Sequence, residues 1–259
     1  MMSKIGMVGR RGFRNSTIQS GLGFSEIKTQ VHRDRLLPNQ FLSSPQALSI
    51  VGAPIELGQP LEGARTGPRL LREAGLVDMV KGLGWRIEEC GDLPTPPSSS
   101  EDPQLHPKHG SALHSHPLGV FSQTLAQHVA DKHRQEKLAL VLGGDHSLGF
   151  GSVIGALSAR PDLGVLWVDA HADINTPESS GSGNMHGMPL AIALGLCDSV
   201  PLPGFEWFLH NREDWPRLDP SRLVYVGLRD VDHGEVDAIH SLGIKAFTMT
   251  DIDRLGIGN

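Results

Sequence analysis

From Ala47 onward, short apolar runs alternate with longer stretches of helical character. The runs predict strands over Leu48–Ala53, Trp85–Cys90, Leu138–Leu142, Val165–Asp169, Leu223–Leu228 and Ile244–Phe247. Helices are predicted between them, over Pro68–Gly82, Val120–Arg134, Ser152–Arg160, Pro189–Cys197 and Glu235–Leu242. Strand and helix in alternation imply an α/β fold, a largely parallel sheet covered by helices on both faces in three layers. In such folds sites form beyond the carboxyl ends of the strands. Pro94–Pro117 interrupts the alternation. It is rich in Pro, Ser and His, its histidines (His106, His109, His114, His116) fall in no ligand-like register, and it is expected to be a solvated loop.

Two of the predicted strands end in metal-ligand side chains. Val165 to Val168 leads directly into Asp169, His171 and Asp173, spaced two apart. In an extended chain such positions point to one side, so two carboxylates and an imidazole would converge on one cation. Leu138–Leu142 leads into Gly143-Gly144-Asp145-His146-Ser147, which brings a second histidine to a second strand end. Carboxylate and imidazole without thiolate favour a harder divalent ion such as Mn²⁺ over structural zinc. Bridging carboxylates would allow two ions, and a water shared between them would be acidified enough to attack an electrophilic carbon near neutral pH.

Composition narrows the class. A chain of 259 residues with 39% hydrophobic and 20% charged content suits one large α/β domain or two small ones. The formal charge of −6 argues against nucleic-acid binding. The sequence has no apolar run long enough for a membrane helix, and no membrane association is expected. Two cysteines, Cys90 and Cys197, in so long a chain are expected to be reduced, buried thiols. Residues 1–45 read as a basic N-terminal extension ahead of an α/β domain over residues 46–259. Lys4, Arg10, Arg11 and Arg14 precede the first acidic residue, Glu26, which suits a mitochondrial presequence. A basic tail without targeting function, on a cytoplasmic protein, is the alternative, since glycines at positions 6, 9, 12, 21 and 23 weaken an amphipathic helix.

Four ordered motifs resemble the arginases and, more widely, the ureohydrolases: Gly143-Gly-Asp-His-Ser147, Asp169-Ala-His-Ala-Asp-Ile-Asn175, Ser182-Gly-Asn-Met-His-Gly187 and Gly227-Leu-Arg-Asp-Val-Asp232. The resemblance runs from about Ser49 to Asn259. It implies a manganese hydrolase of arginine metabolism, with two Mn²⁺ per active site and a homotrimeric assembly. It further implies that His146, Asp169 and Asp173 bind one ion, that Asp169 and His171 contribute to the second, and that Asp169 bridges them. The implied reaction is that of the urea cycle: hydroxide held between the ions attacks the guanidinium carbon of L-arginine to give L-ornithine and urea. Asn175, Ser182 and Asn184 are implied to face the α-carboxylate, and Asp232 the α-amino group, matching donors to an anion and a carboxylate to a cation. His186 resembles the family's proton-shuttling histidine, a role suited to an ordinary pKa of roughly 6.5. Each of these residues also has a plain structural use: Asn175 and Ser182 in loops, Asp232 as a helix cap, His186 in the core. It is their joint order that points to a site.

Asn175 with Ser182-Gly-Asn184 implies an arginase rather than an agmatinase, whose substrate has no carboxylate. Two local departures from the family lie in the small loop Glu178-Ser-Ser-Gly-Ser182 and in His233, where arginases commonly have proline. The sequence stops at Asn259, before the family's later Asp-x-Asp metal motif and its substrate-side glutamate. On that pattern the second metal site would be incomplete and the homotrimer's C-terminal segment missing, and turnover is expected to be impaired. Asp251-Ile-Asp253 resembles instead the opening of the next helix in arginases, where aspartate in a first turn is ordinary. The family's last two strands lie mid-sheet, between those ending at His146 and Asp169, so a gap or two exposed edges is expected there. Two competing readings are a ureohydrolase of the agmatinase kind and a protein that binds arginine or metal without turnover.

Overall fold

β1 (Ala47–Ala53) is buried almost from end to end, as expected for an apolar parallel strand with a neighbour on each side. Those neighbours are β2 (Arg86–Asp92) and β3 (Leu138–Gly143), in the order β2-β1-β3. A second sheet has the order β4-β5-β6, from β4 (Val165–Val168), β5 (Leu223–Leu228) and β6 (Lys245–Thr248). Every pairing in both sheets is parallel. The computed structural model describes residues 47–96 and 110–256, all within the unit Asn39–Asn259. The basic extension over residues 1–45, with its targeting expectation, lies outside the described residues, as do His106 and His109.

The single sheet implied by alternation is thus two three-stranded sheets. Among the described residues no strand joins β3 to β4, so the gap expected between the strands leading to His146 and Asp169 is present. Leu166 and Val168, on edge strand β4, are exposed.

The helices are α1 (Gly67–Glu73), α2 (Leu76–Gly82), α3 (Ser115–Arg134), α4 (Leu148–Ala159), α5 (Pro189–Ala193), α6 (Glu206–Leu209), α7 (His233–Leu242) and α8 (Met249–Leu255). The helix predicted over Pro68–Gly82 is two, broken at Gly75, whose φ of 89° belongs to the left-handed region that ends helices. The loop predicted through Pro117 ends at His114, because Pro117 sits in the first turn of α3, where a missing N–H leaves no bond unmade. α4 starts four residues before its predicted beginning at Ser152. Its first turn holds Gly149 and Gly151, which weaken the helical signal but allow close packing: a Cβ on Gly149 would lie 2.4 Å from the Trp167 ring. The short α6 was not anticipated; its Phe208 packs edge-on against Phe150 of α4, ring centroids 4.9 Å apart.

Both cysteines are free. Cys197 is buried, which pushes its thiol pKa up to about 12, whereas Cys90 is only partly buried, correcting the expectation for that residue. No helix among the described residues is long and apolar enough to cross a membrane.

Candidate metal centre and cleft

Beyond β3 the chain turns through Gly144, with φ 57°, into Asp145 and His146. Asp145 is buried and acts as a local anchor. Its carboxylate accepts from the backbone N–H groups of Gly58 (2.7 Å) and Ser147 (2.9 Å). Its own N–H donates to Ile55 O at 2.9 Å. The loops after β1 and β3 are thereby joined and the start of α4 is fixed. The His146 ring lies against Trp167 of β4, centroids 4.9 Å apart.

Beyond β4, Asp169 N–H extends the ladder to Val226 O at 3.0 Å, and the chain then leaves the sheet. The Asp169 carboxylate accepts from the N–H of His171 at 3.0 Å, closing a tight turn. Asp173 has φ 52°, a left-handed conformation unusual for a residue with a side chain. Strand alternation therefore does not aim these side chains, contrary to the expectation drawn from their spacing. A turn and a left-handed residue do.

The outcome is a cluster in which one ligand atom each from His146, Asp169 and Asp173 lies within 4.8 Å of the others. His146 Nδ1 is 3.2 Å from Asp169 Oδ2 and 2.7 Å from Asp173 Oδ2. At the second distance the buried Asp173 carboxylate is in direct contact with the imidazole. The nearby Asp173 carboxylate, followed by Asp169 and Asp145, raises the His146 pKa against the opposing effect of burial. A buried carboxylate clustered with an imidazole and a second carboxylate suits a divalent cation, whose oxygen and nitrogen ligands stand about 3 Å apart at bond lengths of about 2.1 Å. His171 stands outside this group. Its Nδ1 is 3.3 Å from Asp169 Oδ1 and its Nε2 3.5 Å from Asp230 Oδ2.

The cluster opens into a cavity of about 560 Å³. All nine residues singled out in the sequence line it: His146, Asp169, His171, Asp173, Asn175, Ser182, Asn184, His186 and Asp232. Asn175 is held at both ends of its amide, accepting from Ser179 Oγ at 2.8 Å and donating to Asp232 at 3.0 Å. The small loop is tied down by Gly183 N–H to Ser180 Oγ (3.0 Å) and Asn184 N–H to Ser182 Oγ (3.2 Å). His186 is fixed by its backbone, whose N–H donates to Gly58 O at 3.0 Å. Asp232 both caps α7 and lines the cavity, so its two alternative uses coexist.

Asp251 accepts from Thr248 N–H (3.0 Å) in a capping box that opens α8, as the helix-opening reading of Asp251-Ile-Asp253 required. Glu235 is a residue the sequence reading passed over. It lines the cavity, is 4% exposed, and burial raises its pKa. The signal available was the capping-box spacing Asp232-x-x-Glu235 ahead of a helix.

The model of the arginase family matches residues 46–259. Human arginase-1 is 43% identical over 215 residues, covering 82% of this chain. The alignment spans 63% of that relative's length. Among solved structures, the arginase of Bacillus caldovelox superposes with a TM-score of 0.72 at 35% identity, over 82% of this chain and 68% of that one. An Entamoeba histolytica arginase in complex with L-ornithine superposes with a TM-score of 0.68 at 31% identity, over 82% and 68% of the two chains.

Proposed function

The chain belongs to the arginase family, and on that premise we propose that its cleft binds L-arginine beside manganese and hydrolyses the guanidinium group to L-ornithine and urea. The observation that carries this reading is the meeting of His146, Asp169 and Asp173 at one end of a cavity whose other lining includes Asn175, Ser182, Asn184, His186 and Asp232. His146, Asp169 and Asp173 would hold one ion, and Asp169 with His171 would offer donors to a second. A divalent ion bound there supplies water acidic enough to act as a nucleophile at neutral pH. The protein's own groups do the remainder. Asn175, Ser182 and Asn184 orient the α-carboxylate, Asp232 takes the ammonium, and His186 relays a proton at the departing amine. The same placement favours arginine over agmatine, because agmatine would leave the carboxylate-facing donors unmatched in the cleft. L-Ornithine, the ligand of the Entamoeba relative, is the product this reaction would release.

The test is Mn²⁺ stoichiometry by elemental analysis on the purified 259-residue chain, alongside urea release from L-arginine and from agmatine. Bound Mn²⁺ that is lost in Asp173→Ala, with urea from arginine in preference to agmatine, is the expected result. Absence of bound Mn²⁺, or urea from agmatine as readily as from arginine, would overturn the reading. Bound Mn²⁺ and arginine without urea would reduce the function to binding.

A further inference from the structure

Asp173 occupies a conformation that an L residue holds only at a cost, and three backbone groups around it are bonded from elsewhere in the fold. Ala172 O, just before it, accepts from the hydroxyl of Tyr225 at 2.7 Å. Ile174 N–H, just after it, donates to Glu235 Oε1 at 3.1 Å. Its own carbonyl accepts from Leu190 N–H at 3.0 Å. Tyr225 lies on β5, is fully buried and has no reason of packing alone to be tyrosine rather than phenylalanine. Glu235 also accepts from Asp232 N–H at 3.0 Å, so one buried carboxylate ties the turn holding Asp173 to the helix start that presents Asp232.

We propose that Tyr225 and Glu235 are positioning residues, gripping the backbone on either side of Asp173 and thereby aiming its carboxylate at the cluster with His146 and Asp169. The inference rests on the metal-site reading above. Groups that orient ligands in this way commonly change metal affinity 10- to 100-fold when removed.

The experiment compares Tyr225→Phe, Glu235→Gln and a remote core control, Ile154→Val, in the full chain. Tyr225→Phe is the decisive variant because it removes one hydroxyl and no charge, whereas Glu235→Gln also removes a negative charge near the cation. Two readouts are taken: Mn²⁺ affinity by calorimetry, and the backbone NMR shifts of Asp173 in the metal-free protein, which report its positive φ. Expected are about a tenfold weaker Mn²⁺ affinity in Tyr225→Phe, with Asp173 shifts displaced in both site variants. Ile154→Val should lose thermal stability with neither readout moved. Asp173 shifts unchanged in Tyr225→Phe and Glu235→Gln would overturn the proposal whether or not metal binds. Failure of the unmutated chain to bind Mn²⁺ would instead strike the metal-site reading, leaving the shifts to judge the grip on Asp173.

Discussion

Asn175 Nδ2 donates to Asp232 Oδ2 across 3.0 Å, linking the turn after β4 to the start of α7. Under the proposed reading these two residues serve opposite charges of one amino-acid head group, so their mutual bond presets the spacing between the carboxylate and ammonium sites. Replacing Asp232 with Asn removes the anion but keeps the size. Loss of a hydrogen bond to a charged group is worth about 1.5–3 kcal/mol, or roughly 10- to 100-fold in arginine affinity. Replacing Asn175 with Ala should weaken arginine more than agmatine. Calorimetric titration of both ligands checks this, and an equal loss for the two would remove Asn175 from carboxylate recognition.

Glu88 on β2 meets Lys132 of α3 and Lys137 ahead of β3, each at 2.6 Å. These hydrogen bonds, Lys132 first, lower its pKa from 4.5 to about 2. A carboxylate with a depressed folded pKa adds stability that is fully present above its unfolded value and is lost as pH falls through the folded one. The Glu88 side chain is 40% exposed, so solvent limits the contribution to about 1 kcal/mol or less. Glu88→Gln should therefore be less stable than the parent in urea unfolding at pH 7, and the difference should shrink between about pH 4.5 and pH 2. A difference independent of pH would show that the ion pairs contribute nothing.

Gly155 on α4 lets that helix approach α3, and a Cβ there would lie 2.4 Å from Ala126 O, a backbone atom with little room to move. Alanine favours helix over glycine by about 1 kcal/mol. Overpacking costs about 1–3 kcal/mol, so the steric term wins. Gly155→Ala should lower the unfolding midpoint while leaving Mn²⁺ affinity intact. An unchanged or higher midpoint would mean that the helices separate without penalty.

Much of this architecture is legible in the sequence because buried parallel strands are written as short apolar runs. All six predicted strands form, most within a residue or two of their predicted ends. Less legible were elements whose cause is tertiary. The glycines in the first turn of α4 look like helix breakers until Trp167 and Leu125 are seen against them. Asp169, His171 and Asp173 were found by their spacing, yet the reason attached to it failed: His171 stays outside the cluster and Asp173 arrives through a positive φ. Local pattern cannot encode that conformation, since it is imposed by Tyr225 and Glu235, 52 and 62 residues further along the chain. Glu235, passed over in the sequence, closes the capping box of α7 with Asp232. Only its depth shows that it faces the cleft as well.

The two half-sheets meet the cluster from opposite sides: His146 follows β3 in one, Asp169 and Asp173 follow β4 in the other, and no ladder of backbone hydrogen bonds spans the seam among the described residues. A cation gripped by all three side chains would therefore act as a rivet between halves. Its chemical potential would become a structural variable, since a ligand at one hundred times its Kd adds about 2.7 kcal/mol to the folded state. One apolar cluster, which includes Ala53 and Ile55 on one side and Trp167 and Tyr225 on the other, already spans the seam, so the cation would add to that packing and manganese supply would contribute to cohesion as well as to chemistry.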